Sequence, residues 1–155
     1  MGKRMTAALA VLMCLFALAA CGSQQQDVYE TSDVQAMVDA GAFSVALEEV
    51  DGDTAFQLCG LSSAGLNRED MTDCAVLCDM GLTCEIGAVF VFGTEEQAQT
   101  AVTALEDYIQ GQITENENYR PEEIPKLESA LLDQRGNTVL MAVASNMEAV
   151  QQAVE

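Results

Sequence analysis

The chain has 155 residues, with 25 acids against 6 basic residues, a formal charge of −19, and neither His nor Trp. Such a balance excludes nucleic acid as a natural partner, because phosphate binding needs a basic surface. Without His the commonest general base and metal ligand is missing, so no Ser-His-Asp or Cys-His site can be built from this chain alone.

Lys3 and Arg4 precede an apolar run from Met5 to Ala20 that only Thr6 interrupts. The run is short for a membrane span, which takes about 20 apolar residues, and it has the length and flanks of a secretory signal. It ends in Leu18-Ala19-Ala20-Cys21-Gly22. Small residues suit the narrow site of a signal peptidase, and a Cys directly after them can take a diacylglycerol on its thiol. This stretch resembles the lipobox of bacterial lipoproteins. It predicts a signal peptide over 1–20, lipidation of Cys21, and attachment to the outer face of the cell membrane. Two or three acyl chains give stable anchoring where one is marginal. Gly22 to Ser32 is polar and aperiodic and reads as a flexible tether, leaving a single domain over 33–155. Loss of Lys3 and Arg4 leaves Arg68, Arg120, Lys126 and Arg135 against 25 acids, which moves the side-chain balance from −19 to −21. A surface this acidic stands off from an anionic membrane and reads first as a solvated acidic face, with attraction of a basic partner or divalent cations as the alternative.

Ser32 is a candidate N-cap for a short amphipathic helix over 33–40, in which Val34, Met37 and Val38 share a face and Gly41 is the stop. Asp53 is a candidate cap for a second helix, Thr54 to Cys59, closed by Gly60. Asp73 to Cys78 and Thr83 to Phe92 are strand-like in their β-branched and aromatic content, and Asp79-Met80-Gly81-Leu82 turns between them. Thr94-Glu95-Glu96-Gln97 is a capping box. The helix behind it keeps Ala98, Ala101, Val102, Leu105, Ile109 and Ile113 on one stripe, to about Asn116 despite Gly111. Asn118 to Leu127 carries both prolines, Pro121 and Pro125, each of which disfavours helix at the preceding residue, and reads as an ordered crossover. Leu127 to Gln134 and Thr138 to Ser145 are strands around Gly136-Asn137, a pair suited to a two-residue hairpin turn. The second of them lacks polar alternation, so it is a central strand buried on both faces. Asn146 caps a final helix with Met147, Val150 and Val154 inward. The order predicts an α+β fold: an antiparallel sheet built from two β-hairpins joined by a long helix, with the helices packed on one face.

The stretches Met37 to Phe43, Leu47 to Asp51, Leu58 to Leu61, Glu85 to Phe90, Tyr119 to Glu123 and Gly136 to Leu140 together resemble an uncharacterised family of small lipoproteins from Gram-positive bacteria, catalogued as a domain of unknown function. The resemblance implies a lipid-anchored domain outside the membrane and supplies no catalytic motif. In that family the positions of Cys59, Cys74 and Cys78 are more often Tyr or Ser, which makes the cysteines a trait of this member.

Cys14 leaves with the signal, Cys21 carries lipid, and Cys59, Cys74, Cys78 and Cys84 remain. Disulfides are permitted outside the membrane. Cys78 with Cys84 across the first turn, and Cys59 with Cys74, is one pairing. The latter loop of about 15 residues would contribute roughly 3 kcal/mol in the chain-entropy model. The other reading is four small buried thiols. Their spacing lacks the paired knuckle of structural zinc and contains no Cys-x-x-Cys, so no metal is assigned. Glu48, Glu49, Asp51 and Asp53 cluster their carboxylates but lack an EF-hand loop, and an acidic helix-capping loop explains them. The chain is small for a sugar cleft, which argues against paired-carboxylate glycosidase chemistry. Tyr119, Pro121 and Pro125 are candidates for a partner-binding groove, unless Tyr119 packs beneath the crossover. The leading expectation is a non-catalytic, cofactor-free domain that binds a protein or envelope component. The alternative is a thiol- or metal-dependent accessory protein using the four cysteines.

Overall fold

The computed structural model describes residues 28–155, so the signal peptide expected over 1–20 and the expected lipidation site Cys21 lie outside the described residues. In chain order the elements are α1 (Ser32–Asp39), β1 (Glu48–Glu49), α2 (Gly52–Leu58), β2 (Met71–Cys78), β3 (Ile86–Phe92), α3 (Glu95–Asn116), α4 (Ile124–Glu128), β4 (Leu131–Arg135), β5 (Thr138–Val143) and α5 (Met147–Ala153). The two hairpins, β2–β3 and β4–β5, dock edge to edge through β3 and β5. All pairings are antiparallel, and the strand order is β1-β2-β3-β5-β4. The α+β class and the two hairpins joined by a long helix are therefore as the sequence predicts.

The placement of helices on one face is corrected by the structure. Successive residues of a strand point to opposite faces. Ala88, Phe90, Val139 and Met141 meet α3 and α2 on one side. Val89, Leu140 and Ala142 meet α1 and α5 on the other. A strand covered on both faces loses its polar alternation, which is why every residue of β5 is buried. Burial of a side chain the size of Phe90 or Leu140 contributes roughly 1.5–3 kcal/mol.

Thr94 and Gln97 form the capping box of α3, which runs 22 residues without interruption at Gly111. Its inward face is made of Ala98, Ala101, Ala104 and Leu105; the small residues let the helix backbone approach the sheet. On the opposite face Gly87 serves a similar end. A Cβ there would lie 2.8 Å from Phe43 Cζ and 3.3 Å from Met37 Cε, so only glycine lets those side chains lie on the strand.

Several local assignments shift. Helix α1 begins at Ser32 itself, and its first turn is held by Asp33, whose carboxylate accepts the Glu30 N–H at 2.9 Å. The cap of α2 is Asp51, whose carboxylate accepts the N–H groups of Asp53 and Thr54; Asp53 instead pairs with Arg68 at 2.7 Å. The crossover is partly helical, because Pro121 and Pro125 sit in first turns, where a missing N–H leaves no bond unmade. The strand expected from Leu127 accordingly starts only at Leu131. Tyr29, in the stretch read as tether, is buried: its N–H donates to Thr138 Oγ1 at 2.9 Å and its hydroxyl to Asp133 Oδ2 at 2.5 Å. The Arg135 guanidinium lies over its ring, 4.3 Å from the centroid.

Candidate docking surface at the β2–β3 hairpin tip

The ladder of β2 and β3 ends at Cys78 opposite Ile86; beyond it the Asp79 N–H donates to the Glu85 carbonyl at 3.0 Å, and the rest of the connection is tied down by side chains. The Asp79 carboxylate accepts three backbone N–H groups, from Gly81 at 3.1 Å, Leu82 at 3.0 Å and Thr83 at 2.6 Å. Desolvation pushes this carboxyl up, but the bonds from Thr83, Gly81 and Leu82 outweigh it and hold it below the ordinary aspartate value.

The crossover grips the same loop from outside. Arg120 donates through Nη1 to the carbonyls of Gly81 at 3.3 Å and Thr83 at 3.4 Å. Its Nε donates to Oδ1 of the buried Asn116 at 2.9 Å, which fixes the guanidinium against the end of α3. Glu123 accepts the Cys84 N–H at 2.9 Å and pairs with Lys126 at 2.9 Å. Lys126 also reaches Glu85, at 3.7 Å. Glu85 is 1% exposed. It accepts the N–H of Ser44 at 2.8 Å, the Ser44 hydroxyl at 3.0 Å, and the Ser145 hydroxyl. Burial pushes the Glu85 carboxyl up; the bonds from Ser145 and Ser44 and the charge of Lys126 outweigh it and hold it below the ordinary glutamate value. Two buried acids and one lysine thus join four chain segments: the start of β3, the loop before β1, the loop after β5 and the crossover.

What this frame presents outward is apolar. Met80 is 65% exposed, Leu82 78% and Tyr119 85%. Tyr119 therefore stands in solvent rather than beneath the crossover, and Pro121 and Pro125 are exposed beside it. Next to the tip a cleft of about 220 Å³ is lined by Leu58, Cys78, Cys84, Ile86, Tyr108 and Arg120, among others.

All four cysteines of the described residues are free thiols, so neither the Cys78–Cys84 nor the Cys59–Cys74 bridge is made. Cys78 and Cys84 line the same cleft, with Cys78 Sγ 3.4 Å from Met80 Sδ. Burial pushes the Cys59 thiol up to about 12 and raises Cys74, Cys78 and Cys84 as well, in Cys84 against the lowering pull of Arg120 and Lys126. The acidic stretch disperses: Glu48 and Glu49 form the edge strand, Asp51 caps α2 and Asp53 pairs with Arg68. Among the described residues no group of three or more His, Cys, Asp or Glu side chains is placed to hold a metal ion.

The sequence singles out Tyr119, Pro121 and Pro125 as candidates but gives no prominence to Arg120, Glu123, Lys126 and Glu85, which tie the crossover to the hairpin loop, or to the exposed Met80 and Leu82. The available signal was the charged residues inside the quoted stretches Tyr119 to Glu123 and Glu85 to Phe90. A buried role for them depends on contacts up to 60 residues apart in the chain.

A family model described as a domain of unknown function (DUF4358) matches residues 63–144. No curated protein and no solved structure matches the chain. The matched segment holds both hairpins, α3 and the whole crossover, including Glu85, Arg120, Glu123 and Lys126. Met37 to Phe43, Leu47 to Asp51 and Leu58 to Leu61 precede it. Since the match spans just over half of the sequence, the chain belongs to the DUF4358 family.

Proposed function

We propose that this protein is a lipid-anchored, non-catalytic binding module on the outer face of the cell membrane, and that it docks a protein or envelope component through the β2–β3 tip. The observation that carries the docking reading is the exposure of Met80, Leu82 and Tyr119 on loops held by side-chain bonds from Asp79 and Arg120. A backbone already held by hydrogen bonds loses little further freedom when a partner covers its side chains. Anchoring rests on Cys21 behind Leu18-Ala19-Ala20, and among the described residues no helix is long and apolar enough to cross a membrane. The non-catalytic reading rests on the lack of His and on the structural engagement of Glu85 and Glu123. A thiol-dependent role has one observation in its favour, the approach of Cys78 to Met80 beside Cys84. It is weakened by the upward push of burial on every thiol, since the thiolate is both nucleophile and metal ligand.

The test is photo-cross-linking on intact cells, with the cross-linker placed at Leu82 and, as a control, at the exposed Gln151 of α5. A discrete adduct from Leu82 alone is expected; adducts from both positions, or from neither, end the docking reading. In parallel, Cys21→Ser is expected to move the protein out of the membrane fraction. Unchanged membrane retention would end the anchoring reading.

A further inference from the structure

We infer that the occupant of the hairpin tip is a cationic amphipathic protein segment, one that offers bulky apolar side chains framed by Lys or Arg. This inference rests on the docking reading above and adds the chemistry of the partner.

The first argument is charge. Every cation among the described residues is bonded within the molecule. Arg68 holds Asp53 and the Met71 carbonyl. Arg120 holds Asn116, Gly81 and Thr83. Lys126 lies between Glu85 and Glu123. Arg135 engages Asp133, the Val154 carbonyl and the ring of Tyr29. The two cations nearest the tip, Arg120 and Lys126, therefore point inward, while Glu115, Glu117 and Glu122 around Tyr119 are exposed. A partner meets apolar knobs on a field of uncompensated negative charge. That field accelerates encounter with a cation and opposes an anionic surface.

The second argument is shape. Met80, Leu82 and Tyr119 stand on two loops that the Arg120 guanidinium binds together, beside a cleft of about 220 Å³ whose wall combines apolar Leu58, Ile86 and Tyr108 with polar Asp79, Gln112 and Arg120. The space suits one or two apolar side chains of an incoming segment. Met adapts to irregular partners, and the exposed face of Tyr119 accepts a guanidinium or ammonium by a cation–π contact.

The experiment uses the full chain in non-ionic detergent and fluorescence anisotropy of three labelled heptapeptides. One alternates Lys with Leu and Phe, a second replaces its Lys with Glu, and a third replaces its apolar residues with Ser. The first is expected to bind, to weaken as salt is raised, and to lose roughly 100-fold or more in affinity against Met80→Ser/Leu82→Ser/Tyr119→Ser, because three anchors are removed. The substituted positions are exposed, so the variant keeps its fold, and the detergent background is common to both proteins. Equal binding to wild type and variant, equal binding of the Lys/Ser peptide, or preference for the Glu peptide would each overturn the inference. A Leu82 cross-link on cells combined with no binding of the Lys peptide would overturn the cationic partner and leave the docking reading standing. Failure of both would remove both.

Discussion

Replacing Lys126 with Met removes the one cation between Glu85 and Glu123 and leaves two buried carboxylates to face each other. Breaking a buried ion pair by deleting one partner costs about 3–5 kcal/mol, because the remaining charge stays desolvated and unpaired. The Lys126 side chain is 21% exposed, so water screens part of the loss and the low end applies, about 3 kcal/mol. For a chain of this size that is a fall of about 10 °C in Tm. The pH dependence is the sharper reading. In the wild type Glu85 titrates below its ordinary value, so it contributes stability above the unfolded glutamate pKa of about 4.3 and loses it as pH falls through the folded value. Without Lys126 the upward push of burial meets less opposition, and the folded pKa of Glu85 rises. The deficit of Lys126→Met is therefore largest at neutral pH and shrinks on acidification. Urea melts followed by circular dichroism at pH 7 and pH 4 measure both quantities. Adding Glu85→Gln to Lys126→Met is expected to recover part of the loss, because one uncompensated charge is removed while an amide oxygen still accepts from Ser44. A variant within about 0.5 kcal/mol of wild type, or a deficit that widens in acid, would refute the keystone role of this cluster.

Gly87→Ala places a Cβ 2.8 Å from Phe43 Cζ; a loss of about 1–3 kcal/mol in a thermal melt is expected, with recovery by Phe43→Leu if the ring is the obstacle. Asp51→Ala removes the cap of α2 and should lower the midpoint of urea denaturation. Asp53→Ala breaks only an exposed ion pair and should stay within about 0.5 kcal/mol; the reverse ranking would return the cap to Asp53. Native alkylation with iodoacetamide, read by mass spectrometry, should spare the fully buried Cys59 until the protein unfolds. Cys74 and Cys84 should react slowly near neutrality and faster as pH rises toward their raised pKa values. Rapid labelling of Cys59 in the folded protein would contradict its burial under α3.

The cleft and its thiols show how far composition alone carries a functional reading. Four cysteines in a chain whose N-terminus reads as a secretory signal suggest bridges, and the hairpin turn brings Cys78 and Cys84 to one cleft. Cys78 faces Ile86 across the ladder, and Cys84 lies two residues before Ile86. The strand register, which spacing does not encode, therefore makes the two cysteines diagonal rather than direct neighbours.

Local chemistry made much of the architecture legible in advance. The capping box of Thr94 and Gln97, the Gly136-Asn137 turn, the Asn146 cap and the unbroken apolar run of β5 each depend on residues a few positions apart. Each was therefore readable from the chain itself. The prolines are ambiguous for a related reason: a proline disfavours helix before it but suits the first turn after it, and only the following residues choose between the two. What tertiary structure decided was everything set by distant partners. An apolar stripe says that a helix packs, not on which face of the sheet, so α1 and α5 could be placed opposite α3 only once the two cores were formed. Tyr29 reads as part of a polar tether until Thr138 and Asp133, more than 100 positions away, receive it. Tyr119 became a surface residue because Arg120 turns inward to the carbonyls of a loop 37 to 39 positions earlier. Periodicity encodes which side chains seek burial, whereas the pairing of charges and the exposure of a knob follow from how separate segments meet.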